Sequence, residues 1–201
     1  MPLRPLILPL LLLAGCQTAP DVSPPAAPSP VATPAPESPE RSDAPAERPV
    51  ALALEGDGVR LVARESGAAR PVAFGTPFAD AVAAVVRAEG DPAEEGMQLE
   101  CGAGPLAFAS WTGGLTLYGQ DDAFAGWNVS GRSGEAPYST MTGLGVGTTR
   151  VELDGGAVAV DVFESSLGTE FAAGDLYGLL SGDGPDATVT YLWAGTTCSF
   201  R

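Results

Sequence analysis

Histidine and lysine are both absent from this 201-residue chain, and its 10 basic residues are all arginines. Without histidine, the usual general base near neutral pH and the commonest metal ligand are missing. Serine–histidine, cysteine–histidine and lysine-based activation of a nucleophile are excluded with it. Without lysine, the glycine runs at Gly113-Gly114 and Gly143 to Gly147 lack the cation of a phosphate-binding loop. Ten arginines face 25 acidic residues, for a net charge of -15. That balance argues against binding nucleic acid and against charge-driven adhesion to anionic lipid, and suits solubility or a basic partner. Cysteine is scarce, at three residues, and no Cys-x-x-Cys pair occurs, so neither a zinc nor a dithiol redox motif is present. The apolar run Leu6 to Leu13 is broken by Pro9 and is well short of the roughly 20 residues that cross a bilayer as a helix.

What the chain does have begins with that short run. One arginine, Arg4, precedes it and two small residues follow it, the layout of a secretory leader. Leu13-Ala14-Gly15-Cys16 resembles the bacterial lipobox. The resemblance implies removal of residues 1–15, a diacylglycerol on the Cys16 sulfur and an acyl chain on its new amino terminus. Several acyl chains together anchor a protein durably where one alone does not. Gln17 in place of aspartate implies, by similarity to enterobacterial sorting, the outer membrane. Residues 16–49 are dominated by Pro, Ala, Ser and Glu, as in Pro24-Pro25-Ala26-Ala27-Pro28. Proline removes backbone donors and restricts its neighbours, so this stretch reads as an extended, disordered tether. At about 3 Å per residue it would reach several tens of ångströms.

Residues 50–201, roughly 150 in number, suffice for one sizeable core or for two small halves, 50–137 and 138–201. Val50 to Leu54 and Val59 to Ala63 read as strands around the Glu55-Gly56-Asp57-Gly58 turn, and Glu65 to Pro71 as a loop. A helix is expected from Thr76 as N-cap and Pro77 in the first turn. Phe78, Ala81, Val82 and Val85 share its apolar face, and Gly90-Asp91-Pro92 ends it. Met97 to Cys101 reads as a strand. Leu106 to Trp111 and Leu115 to Tyr118 form a hairpin about Thr112-Gly113-Gly114, and Ala123 to Val129 a further strand. Thr149-Arg150-Val151-Glu152 fits a capping box on a very short helix before Gly155-Gly156. Val158 to Phe163, Phe171, Asp175 to Leu180 and Thr188 to Trp193 supply the remaining strands.

Phe74-Gly75-Thr76-Pro77-Phe78-Ala79-Asp80 aligns with Val146-Gly147-Thr148-Thr149-Arg150-Val151-Glu152, each an apolar residue and glycine before a threonine cap. The expected fold class is therefore α+β: one or two short helices packed on antiparallel β-sheet, with a tandem repeat of a helix-plus-strands unit in view. That unit is similar to the repeat of beta-lactamase-inhibitor-like domains. It is also similar to small outer-membrane-assembly lipoproteins of the SmpA/OmlA kind.

Once Cys16 is lipidated, Cys101 and Cys198 remain. An even pair outside the cytoplasm is most simply a disulfide, with redox chemistry and metal ligation as competing readings. Asp121-Asp122 and the Asp183, Asp186 pair sit in turns, where aspartate supports local hydrogen bonds. Trp111, Trp127, Tyr138 and Trp193 are the aromatics that could face a ligand, with Tyr138 the one expected at the surface. Core use is the competing role for the others. The reading is a non-enzymatic, membrane-anchored envelope domain, periplasmic or surface-facing, that contacts another envelope protein and needs no cofactor or metal. A glycan or small-ligand module and an acid hydrolase with paired carboxylates are the alternatives.

Overall fold

The computed structural model describes residues 49–131 and 137–198, which belong to the compact unit Ala44–Arg201. Residues 1–48, which carry the expected leader, the expected lipidation site Cys16 and the expected tether except Pro49, lie outside the described residues.

Among the described residues strands take up 48% and helix 12%, which overturns the α+β expectation in favour of a β-rich fold. The difference lies in the strands, eleven against two helices among the described residues. The second helix is the single turn expected, Arg150–Asp154 (α2), with Gly155 and Gly156 following at once. The stretch expected as a loop contributes instead to a strand, Ala69–Ala73 (β3). Pro71 is tolerated there because β3 is an edge strand, where a missing N–H breaks no ladder.

The small sheet joins Val50–Glu55 (β1), Gly58–Ala63 (β2) and β3, all antiparallel. The large sheet holds eight antiparallel strands: Glu94–Gln98 (β4), Leu106–Ser110 (β5), Leu115–Gln120 (β6), Ala123–Ser130 (β7), Asp161–Ser165 (β8), Gly168–Ala173 (β9), Leu176–Leu180 (β10) and Val189–Gly195 (β11). Their spatial order is β4-β5-β6-β7-β11-β10-β9-β8. The join between β7 and β11, with Trp193 opposite Asn128, runs across the expected boundary between the halves. The two halves thus share one sheet, each supplying a helix followed by four of its strands. Of the two aligned segments, the first opens a 12-residue helix, Phe78–Glu89 (α1), and the second only the single turn of α2.

Helix α1 lies against β1, β2, β6 and β7. Its buried stripe is Ala81, Ala84, Val85 and Ala88, so small side chains let it approach the strands closely. Phe78 lies over Gly119, where an added Cβ would come within 2.6 Å of the ring. The cap differs from the threonine expected. Pro77 occupies the N-cap without a side-chain bond, and Phe78 N donates instead to the Asp122 carbonyl at 2.8 Å. Asp122 belongs to the β6–β7 turn, where Asp121 and Asp122 take φ of 51° and 62°. Positive φ at both central residues is what a two-residue hairpin of matching twist requires. These acids are therefore turn-formers that also cap α1.

Trp127 on β7 ties the two sheets together. It is fully buried, and its indole N–H donates to the Glu55 and Gly58 carbonyls at 3.0 and 2.9 Å. Around it Leu54, Val59, Val85, Leu117, Phe124 and Leu192 form one continuous core. The opposite face of the large sheet, here the outer face, carries Tyr118, Asn128, Trp193 and Tyr177 by strand alternation. Asn128 Nδ2 donates to the Tyr118 hydroxyl at 2.9 Å, and the Trp193 ring stacks on Tyr177 at 5.9 Å between centroids. Both end strands of the large sheet are acidic at the surface, with Glu94 and Glu95 on β4 and Asp161 and Glu164 on β8.

Candidate functional site

The segment 139–148 and α2 build a cavity over the β9–β10 end of the core. Thr140 Oγ1 accepts from Leu144 N at 3.0 Å and Thr140 N donates to the Leu144 carbonyl at 2.8 Å, closing a tight loop with Gly143 at φ 88°. That loop is pinned to β1: Leu54 N donates to the Ser139 carbonyl, and Met141 N to Glu55 Oε1. Next, Gly147 N and Val189 N bond across to the Val189 and Thr148 carbonyls, attaching the segment to the start of β11.

The expected capping box is present on α2. Glu152 N donates to Thr149 Oγ1 at 3.2 Å, and Thr149 N donates to Glu152 Oε2 at 2.8 Å. The Thr149 backbone and hydroxyl bonds hold the Glu152 carboxyl below its ordinary range. Arg150 pairs with Asp154 through Nε at 2.8 Å on the outer side of the turn.

The cavity so formed measures about 280 Å³. Leu144, Leu153, Val160, Ala173 and Leu176 line it, with Thr142, Thr148 and Glu152 as its polar groups. Val158, another lining residue, is 47% exposed. Met141 and Val151, chain neighbours of the lining residues Thr142 and Glu152, are 53% and 64% exposed. Apolar surface gathered about an apolar cavity gains free energy when covered, at roughly 25 cal/mol per Å². Sequence reasoning missed this site. The available signal was Val151, apolar yet on the solvent side of a capped turn, beside the Gly/Thr-rich loop.

A second, polar cleft of about 590 Å³ lies at the β5–β6 turn. Ser110, Trp111, Thr112, Thr116 and Ser130 line it, with Glu94 as its carboxylate. Trp111 reaches it from the core: it is 6% exposed, and its indole N–H donates to the Gly90 carbonyl at 2.8 Å. The other aromatics singled out from the sequence are also interior. Trp127 is 0% exposed, Trp193 4% and Tyr138 4%. Tyr138 is therefore not at the surface as expected. Its hydroxyl donates to Glu89 Oε2 at 3.2 Å beneath the 139–148 segment, and burial with the nearby carboxylate pushes its pKa up. The four aromatics do not converge on a common groove.

Cys101 and Cys198 are brought together, as free thiols, with Leu106 and Tyr118 in a small apolar cluster. Burial, and then the neighbouring Cys101 thiol, pushes Cys198 up to about 11. A thiol in that state is no activated nucleophile. Asp183 and Asp186 are exposed in the β10–β11 connection. Glu164 accepts from Thr169 Oγ1 at 2.8 Å, and Ser165 serves the β8–β9 turn. Among the described residues no cluster of three acidic or cysteine side chains could hold a metal, and no helix is long and apolar enough to cross a membrane.

No protein-family model matches the chain, and neither the curated proteins nor the solved structures searched gave a significant match.

Proposed function

We propose that the chain is a lipid-anchored lipoprotein of the bacterial cell envelope whose globular part docks another envelope protein through the cavity beside α2. One observation carries the reading: exposed Met141, Val151 and Val158 cluster by chain position about an apolar cavity floored by Leu153, Val160 and Leu176. A cavity of about 280 Å³ takes a large apolar side chain and excludes an extended polymer. The net charge of -15 favours a partner that sets such an anchor within a basic surface. The anchor itself rests on the lipobox resemblance at Cys16.

A photo-crosslinking residue at position 151 or 158, in intact membranes, is expected to give one discrete protein adduct. The same residue at exposed Ser66 should not. The adduct should weaken as salt rises, because surface charge attraction is screened, and should vanish when the other of the two valines becomes aspartate. Equal labelling at all three positions rejects the docking surface. The mass of the N-terminal peptide from the membrane fraction tests the anchor separately: acylated Cys16 is expected, and an intact leader defeats it.

A second reading, a glycan module, is favoured by the hydroxyl groups of Ser110, Thr112, Thr116 and Ser130 around the Trp111 cleft. Chemical-shift changes confined to those residues on titration with chito-oligosaccharide would move the assignment there. The acid hydrolase gains no support, since the cavities at α2, at Trp111 and at Cys101 each have one carboxylate among their lining residues: Glu152, Glu94 and Glu100.

A further inference from the structure

Beyond β11 the chain does not run off the end of the sheet. Gly195 takes φ 68°, and Thr196 N donates to the Ala125 carbonyl at 2.8 Å. Thr196 then lies directly over Gly126 of β7, where an added Cβ would collide with the Thr196 backbone. Gly126 faces Tyr118 across the β6–β7 ladder, so the crossing is on the outer face. One residue further, the Thr197 carbonyl accepts from Cys101 Sγ at 3.8 Å, and Cys198 enters the cluster with Cys101, Leu106, Phe108 and Tyr118. Cys101 sits in the β4–β5 connection. Residues 195–198 therefore form a strap from β11 over β7 and β6 toward the β4–β5 end of the sheet.

We propose that this strap is locked covalently: Cys101 and Cys198 form an intramolecular disulfide by exchange with the reactive disulfide of a thiol oxidase. Cys198, the more exposed of the two, attacks first. Its thiolate bonds to one sulfur of the donor disulfide and the donor's other sulfur leaves as a thiolate. The Cys101 thiolate then attacks Cys198 Sγ, forming the Cys101–Cys198 bond and expelling the second donor thiolate. The chain loses two electrons and two protons, and the donor disulfide is reduced to a dithiol. Three features support closure as the purpose of the pair. The thiols share one cluster although far apart in sequence, the strap has a glycine beneath its crossing point, and burial holds the Cys198 thiol above its ordinary pKa, away from other thiolate chemistry. The closed strap packs Cys198 against Tyr118 in the apolar cluster. The inference needs an oxidising donor but does not rest on the docking cavity.

The test is a non-reducing peptide map of the full chain, isolated from membranes after alkylation of free thiols. A single linked peptide joining Cys101 to Cys198, two hydrogens lighter than the sum of its parts, is expected. Recovery of both cysteines alkylated, or linkage to Cys16 or to a second copy, overturns the proposal. In a second arm the purified reduced chain is treated with oxidised glutathione. Wild type should yield the same intramolecular link. The Gly126→Val variant, which leaves both thiols in place but obstructs the crossing, should lose it. Equal yields of the link from the two chains would show that the cysteines meet by another route.

Discussion

Replacing Trp127 with phenylalanine should cost about 2–4 kcal/mol of stability and leave partner binding intact in the folded fraction. The indole N–H is the donor to both the Glu55 and Gly58 carbonyls, at the turn where β1 passes into β2. Phenylalanine keeps an aromatic ring in the site but removes that donor. Leaving buried acceptors without it costs roughly 1–3 kcal/mol. The smaller ring forfeits some tens of Å² of buried apolar area, about 1 kcal/mol more. For a domain of this size each kcal/mol moves the melting temperature by about 2–4 °C. The expected drop is therefore on the order of 4–16 °C, read by near-UV circular dichroism on purified residues 44–201. Amide exchange adds a local signature: β1 and β2 should lose protection before β6 and β7, because the link between the sheets is what has been cut. A melting curve within a degree of wild type would refute this role. A variant of normal stability that no longer captured its partner or a glycan would return Trp127 to the ligand-facing set.

Other outcomes follow from the same geometry. Reduction, or Cys101→Ser, should lower the melting temperature of protein carrying the closed strap. The ideal worth of so long a loop is roughly 4–5 kcal/mol before strain is subtracted, and identical curves with and without reductant would contradict closure. Asp122→Gly should raise the midpoint in urea by an amount equivalent to about 0.5–1 kcal/mol, since glycine takes the left-handed turn conformation without strain and keeps the carbonyl that caps α1. Gly119→Ala should destabilise by about 1–3 kcal/mol, because its methyl would occupy the place of the Phe78 ring. Glu152 and Asp57 are held below their ordinary pKa values, by the Thr149 bonds and by Arg60 respectively. Their stabilising effect is complete above the unfolded-state values and fades as pH falls through the folded ones. The acid limb of a stability–pH curve should therefore flatten in a Glu152→Gln, Asp57→Asn double variant, and an unchanged slope would remove both groups from the account.

Local patterns made much of the fold legible. The hairpin about Gly113-Gly114 follows from alternation with a turn, and the Thr149–Glu152 capping box from two residues three apart. The apolar face of α1 follows from helical spacing, and Gly90 ends that helix as expected. The errors lie where a distant partner decides. Thr76 is a good capping residue, yet the Asp122 carbonyl takes that duty, which only the β6–β7 turn could reveal. Val158 alternates with Val160 and Val162, but β8 begins at Asp161, and Val158 is given to the cavity instead. The echo between residues 74–80 and 146–152 marks matching contacts, since Thr76 accepts from Phe124 of β7 as Thr148 accepts from Val189 of β11 and each segment opens a helix, but those helices are too short to make the fold α+β. The cavity was invisible for a similar reason. Its walls come from the 139–148 loop, α2, the approach to β8, β9 and β10, and no periodicity marks a meeting of five short segments.

The acidic ends of the large sheet bear on how many copies can crowd together. A terminal strand offers a row of backbone donors and acceptors to any strand that arrives beside it, and two molecules could in principle continue each other's ladder. Glu94 and Glu95 at one extremity, with Asp161 and Glu164 at the other, make such an approach a meeting of like charges. Dense arrays of the protein at neutral pH should thus stay as separate molecules. Salt that screens these four charges weakens the repulsion and leaves the sheet free to grow from molecule to molecule.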